Sequence, residues 1–138
     1  RALTDAIRSD SSLAGGAILF PCAVYSEFQM QRFSSAKGSA STLDSEGDVT
    51  VTCLSIDDAI PGFAPNFIKM DIQGFEYFAL QGMQQTLLNN PSLKILMELS
   101  PVAMKKAGVS TEMLFNWLEE KKLLIYLILK KIQHNVHK

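Results

Sequence analysis

Apolar and polar positions along this chain fall into blocks, and the period inside each block predicts the element it forms. Leu3 and Ile7, flanked by Ala2 and Ala6, are at helical spacing and predict a helix over residues 1–8. Ser9 to Ser12 and Gly15-Gly16 break it. The apolar run over residues 17–25 suits a strand, with Pro21 marking an edge, a bulge or a break. A second strand is expected over 28–33, then a mobile Ser- and Gly-rich loop over 34–47. Residues 48–54 alternate strictly, with Val49, Val51 and Cys53 to one side and Thr50 and Thr52 to the other, the period of a strand. Ser55 then caps a short helical turn through Ile60.

The second half repeats a strand-then-helix rhythm. Residues 67–70 form an apolar strand that stops on Asp71. Phe75, Phe78, Ala79, Gly82, Met83 and Leu87 then recur three and four apart and predict one helix over 74–88. Asn89-Asn90-Pro91 ends it, and residues 93–99 read as another strand, closing near Glu98. Ser100-Pro101 reads as an N-cap with proline in the first turn, and Gly108 closes that helix. Ser110 caps the next, with Leu114, Trp117 and Leu118 on its buried face. Residues 123–129 fit a strand better than a continued helix, because Tyr126 and the β-branched Ile125 and Ile128 favour it. Strands alternating with helices predict an α/β protein with a mostly parallel sheet.

Length and charge narrow the function. The 138 residues suit one domain, and 47% apolar with 20% charged residues suits a globular core. A net charge of −1 leaves no footprint for nucleic acid. Lys121, Lys122, Lys130, Lys131 and Lys138 gather near the end, where a solvated terminus is the simpler account. The longest apolar run is too short for a membrane span. Cys22 and Cys53 have no metal-ligand spacing and read as buried free thiols in a reducing, cytoplasmic compartment. His134 and His137 lie in the tail, and the methionines read as gap-fillers.

Chemistry concentrates where strands end. In open α/β sheets, ligands sit outside the carboxyl ends of the strands, and Asp71 and Glu98 close two successive strands there. If those strands are neighbours, the acids crowd one edge, as a general base, a metal ligand or a polar clamp. The structural alternative is that both accept backbone N–H groups of the following turns. Glu76 in the first helical turn suits the helix dipole, Gly74 allows a sharp turn or close packing of the helix, and Lys69 is placed either to pair with an acid or to snorkel out of the sheet edge.

The segment Ile68-Lys69-Met70-Asp71-Ile72-Gln73-Gly74-Phe75-Glu76 resembles the signature of the FkbM family of methyltransferases. That pattern is an apolar strand, Lys-x-Asp-x-Glu-Gly-x-Glu, then a helix with Leu-x-Gly. Leu80-Gln81-Gly82 supplies the last part, and Gln73 stands where the pattern has Glu. Leu54 to Asp58, Ile95 to Pro101 and Ala23 to Ser26 resemble the flanking segments, so the likeness runs in order over about residues 17–120.

The resemblance implies a Rossmann-like fold using S-adenosylmethionine to methylate a hydroxyl on a small molecule, sugar or lipid. It implies that Asp71 lies beside the donor's methionine part and the substrate, Ala23 and Val24 near the adenine, and Glu98 at the neighbouring strand end. Asp71 and Glu98 are then the catalytic candidates. The family's glycine-rich loop and ribose-holding acid have no counterpart here. The expectation is therefore a single partial domain over residues 1–138, its N-terminal strands missing, with the isolated chain inactive and binding the donor weakly or not at all. Two other readings stay open: a metal-dependent hydrolase built on Asp71, Glu98 and Glu76, and an α/β binding module without catalysis.

Overall fold

The computed structural model describes residues 17–35, 42–121 and 126–129, the last as backbone only. The helix expected over residues 1–8, and the histidines, lie outside the described residues.

Among the described residues the strands form two sheets. The first contains β1 (Ala23–Val24), β2 (Gln29–Ser34), β3 (Thr42–Leu43) and β4 (Val49–Leu54), in the order β1-β4-β2-β3. β1 runs parallel to β4, whereas β2 is antiparallel to both β3 and β4. The second contains β5 (Phe67–Met70), β6 (Lys94–Leu99) and β7 (Tyr126–Leu129), all parallel, in the order β5-β6-β7. The protein is mixed α/β, with the parallel ladder confined mainly to the second sheet rather than spread over one sheet.

The strand expected over 17–25 shortens to Ala23–Val24; it begins just beyond Pro21, which cannot donate to a ladder. The loop expected over 34–47 holds β3, which pairs with the end of β2. Residues 36–41 lie outside the described residues. At the hairpin, Arg32 Nε donates to Gly47 O at 2.7 Å.

Helices follow the caps that the sequence placed. Ser55 caps α1 (Ile56–Ala59), accepting from Asp58 N at 3.0 Å. Ser100 and Ser110 cap α4 (Pro101–Lys106) and α5 (Thr111–Glu120) in the same way. The helix expected over 74–88 is instead two, α2 (Glu76–Gln81) and α3 (Gln84–Asn89). The break falls at Gly82, where any Cβ would overlap the carbonyl oxygen of Tyr25. The new helix end is satisfied from outside: Asp57 accepts from Gln85 N, Thr86 N and Thr86 Oγ1 at 2.8, 2.9 and 2.8 Å. That carboxylate supplies α3 with the acceptor its first N–H groups need.

The core joins one face of the parallel sheet to the helices. Met70, Ile95, Met97 and Leu99 pack with Leu80, Met83, Met104, Leu114, Trp117 and Leu118. Rings tie the first sheet to α2: Tyr25, just past β1, stacks on Phe78 with centroids 4.8 Å apart.

Candidate functional site

β5 and β6 are neighbours, and their register fixes which residues share a face. Ile68 pairs with Ile95 and Met70 with Met97, and three of these four residues are buried in the core. Lys69 and Leu96 therefore point to the other face. The ladder ends at the pair Met70 and Met97, and Asp71 and Glu98 each directly follow a residue of that last pair, on neighbouring strands. Asp71 is exposed and Glu98 half-buried.

Asp71 does not spend its carboxylate on the turn that follows it. Its Oδ1 accepts from Gln73 Nε2 at 2.9 Å, and its Oδ2 lies 3.6 Å from Lys69 Nζ, the ion pair expected from the sequence. The backbone work falls to Glu76. Its Oε1 accepts from Ile72 N at 3.3 Å and from Gly74 N at 3.2 Å. The sequence placed Glu76 in the first helical turn, where its charge suits the helix dipole; the structure buries it to 1% exposure. Its Oε2 has no hydrogen-bond partner among the described residues. Burial pushes the Glu76 carboxyl above its ordinary pKa; the backbone N–H groups pull it back in part, and the nearby Asp71 charge adds to the rise.

The turn between these acids is tightly held. Gln73 has φ 55 and Gly74 φ 102, left-handed values that reverse the chain from strand to helix. A Cβ on Gly74 would sit 2.5 Å from the carbonyl carbon of Ala103, so α4 clamps the turn from outside while Glu76 holds it from within. Asp71 is thereby presented from a rigid support, with its side chain open to solvent.

Ala23 and Val24 stand apart from the acids. They form β1 in the first sheet, paired with Cys53 and Leu54, and Val24 packs against the core. Tyr25 connects them to the site, its ring 6.2 Å from that of Phe75 in the Asp71 turn. Beside that turn opens a cleft of about 790 Å3.

Two other chemistries find little support. Among the described residues no group of three His, Cys, Asp or Glu is placed to hold a metal; Glu76, the third acid of the hydrolase reading, is turned into the backbone. Cys53 is buried, and burial pushes its thiol pKa up, away from nucleophilic use. Cys22, expected to be buried, is half-buried, and both thiols are free. Among the described residues no helix is long and apolar enough to cross a membrane.

A family model described as the methyltransferase FkbM domain matches residues 9–123. No curated protein and no solved structure matches the chain.

Proposed function

The chain belongs to the methyltransferase FkbM domain family, and on that footing we propose that it moves a methyl group from S-adenosylmethionine to a hydroxyl oxygen of a small molecule, sugar or lipid. The observation that carries the reading, beyond membership, is the parallel β5–β6 ladder, whose last pair, Met70 and Met97, directly precedes Asp71 and Glu98. The architecture is read as a Rossmann-like methyltransferase sheet, supported by the all-parallel β5-β6-β7 ladder.

The donor set suits the methionine end of S-adenosylmethionine. An exposed carboxylate on a rigid turn matches a cationic sulfonium or ammonium, and Asp71 is one. When bound, the donor supplies an electrophilic methyl group. Ala23 and Val24 are assigned to the adenine, supported by the contact of the neighbouring Tyr25 with the Asp71 turn.

In this reading Asp71 accepts the proton of the attacking hydroxyl, and Glu98 orients that hydroxyl from the adjacent strand. Gln73 holds Asp71 Oδ1 in place, and Glu76 holds the backbone that carries both. Orientation supplies much of the rate in such a transfer, since the oxygen must meet the methyl carbon in line. The two free thiols favour a reducing, cytoplasmic setting.

The test is methyl transfer by the full-length protein from methyl-labelled S-adenosylmethionine to a panel of hydroxyl acceptors, with Asp71→Ala in parallel. Label transferred by the wild type and lost in the variant supports the assignment. Transfer at wild-type rate by Asp71→Ala removes Asp71 from the mechanism.

A further inference from the structure

We propose that the cleft beside the Asp71 turn binds a free α-amino acid with an apolar or aromatic side chain, Asp44 meeting its ammonium and Lys106 its carboxylate. Neither Asp71 nor Glu98 lines this cleft, so the site is separate from the proposed reaction centre. It stands whether or not the chain transfers methyl groups.

At about 790 Å3 the cleft has the size of a small-molecule site, for which about 300–1,000 Å3 is usual. Its walls come from separate parts of the chain. Tyr25 follows β1, Asp44 follows β3 and Phe75 belongs to the Asp71 turn. From α4 come Val102, Ala103 and Lys106, with Ala107 just past its end. These last four recur at the three- and four-residue spacing of one helical face.

Two opposite charges stand on those walls, and they do not satisfy each other. Asp44 is half-buried. Its Oδ1 accepts from Glu46 N at 3.0 Å, and its Oδ2 has no partner among the described residues. Lys106 is exposed and forms no ion pair among the described residues, where the pair is Lys69 with Asp71. A ligand that covers the cleft takes both charges out of water, and each then needs a partner of opposite sign. A phosphate or a lone carboxylate answers Lys106 and is repelled by Asp44. A lone amine does the reverse, and a neutral molecule answers neither. An α-amino acid carries both charges on one carbon.

The rest of the lining selects the side chain. The Tyr25 and Phe75 rings are tilted by 47° with centroids 6.2 Å apart, and Tyr25 also stacks on Phe78. They form an aromatic corner that packs well against a flat or branched apolar group. Val102 lines the same cleft and is 59% exposed, and Ala103 and Ala107 add methyl groups beside it. An apolar side chain laid on this surface removes it from water.

The experiment is calorimetric titration of the full-length protein with L-phenylalanine, L-tryptophan and L-leucine. For whichever binds, the N-acetyl derivative removes the ammonium charge and the amide derivative removes the carboxylate. The proposal expects at least one of the three to bind and each blocked derivative to bind about five- to tenfold more weakly, the loss of one charge-assisted hydrogen bond. Asp44→Asn keeps an acceptor for Glu46 N and is expected to erase the preference over the N-acetyl derivative. Lys106→Gln is expected to erase the preference over the amide. Lys105→Gln, an exposed neighbour outside the cleft, should bind as the wild type does, and thermal melting checks that each variant stays folded. Binding of none of the three overturns the proposal, as does a blocked derivative that binds the wild type equally well, or a preference that survives in its folded variant. Displacement by S-adenosylhomocysteine also overturns it, because the cleft is then part of the donor's own site.

Discussion

Glu76 Oε1 accepts a hydrogen bond from the backbone N–H of Gly74 at 3.2 Å, and with the one from Ile72 N at 3.3 Å it supplies the acceptor for the turn that follows Asp71. An acid at a strand–helix junction ordinarily satisfies the turn's own N–H groups. Here the acid two residues past Gly74 does so, and Asp71 at the strand end keeps its carboxylate toward solvent and Gln73. Glu76→Ala is expected to leave the N–H groups of Ile72 and Gly74 without an acceptor, each costing about 1–3 kcal/mol. Glu76→Gln keeps a carbonyl oxygen for both and is expected to be milder. Urea unfolding of the two variants checks this order, and equal losses would contradict it.

The same residue predicts a pH dependence with a definite sign. Burial raises the Glu76 pKa above its ordinary 4.5, so the folded protein holds that proton more tightly than the unfolded chain. The linked stabilisation is complete below the unfolded value and is lost as pH climbs through the raised folded value. Glu76→Gln stays neutral throughout. Wild type is therefore expected to lose stability relative to Glu76→Gln as pH rises above 4.5. Urea midpoints of both proteins from acid to neutral pH measure the difference, and a flat difference would refute the buried-acid account.

Asp71 should behave in the opposite way. Its partners are an exposed amide and a lysine whose side chain is 64% exposed, at 3.6 Å. A surface pair of this kind contributes about 0–1 kcal/mol. Asp71→Asn is expected to change unfolding free energy by less than about 1 kcal/mol and to cut methyl transfer by about 100-fold or more, the scale of a lost general base. A large stability loss would mean that Asp71 is structural.

The elements written locally in the sequence were legible. β4, β5 and β6 follow from period and apolar runs, and the serine caps at Ser55, Ser100 and Ser110 follow from hydroxyls ahead of apolar helices. The parallel pairing of β5 with β6, on which the placing of Asp71 and Glu98 depends, was expected from strands alternating with helices. What escaped depends on contacts distant along the chain. The division into two sheets, the break between α2 and α3 under Tyr25, and the burial of Glu76 all arise where separate segments meet. The apolar face over residues 75–87 keeps helical spacing across the break, so its period gave no signal of it.

Asp57 supports the site from a distance. Its carboxylate joins α1 to the start of α3 through three hydrogen bonds, from Gln85 N, Thr86 N and Thr86 Oγ1. Asp57→Ala is expected to cost about 1–2 kcal/mol, the range for loss of a helix cap. Donor binding should survive once the protein is folded, because the cap bonds lie outside the Asp71 turn. Thermal melting beside S-adenosylhomocysteine titration tests both halves; unchanged melting would show that the cap is redundant.

Gly82 closes α2 against the chain just past β1. Its missing side chain lets α2 end directly against Tyr25, and an added Cβ would overlap that residue's carbonyl oxygen and crowd Ser26 Cα at 3.1 Å. Ordinary overpacking costs about 1–3 kcal/mol when side chains can shift. Here the obstacle is backbone, so Gly82→Ala is expected to reach at least the top of that range, about 3 kcal/mol. Relief requires β1 to move off α2, which separates the Tyr25 and Phe78 rings now stacked at 4.8 Å. The variant should therefore lose near-ultraviolet circular dichroism from its aromatic residues while far-ultraviolet helicity falls less. An unchanged aromatic spectrum with wild-type stability would show that the α2–β1 contact is loose.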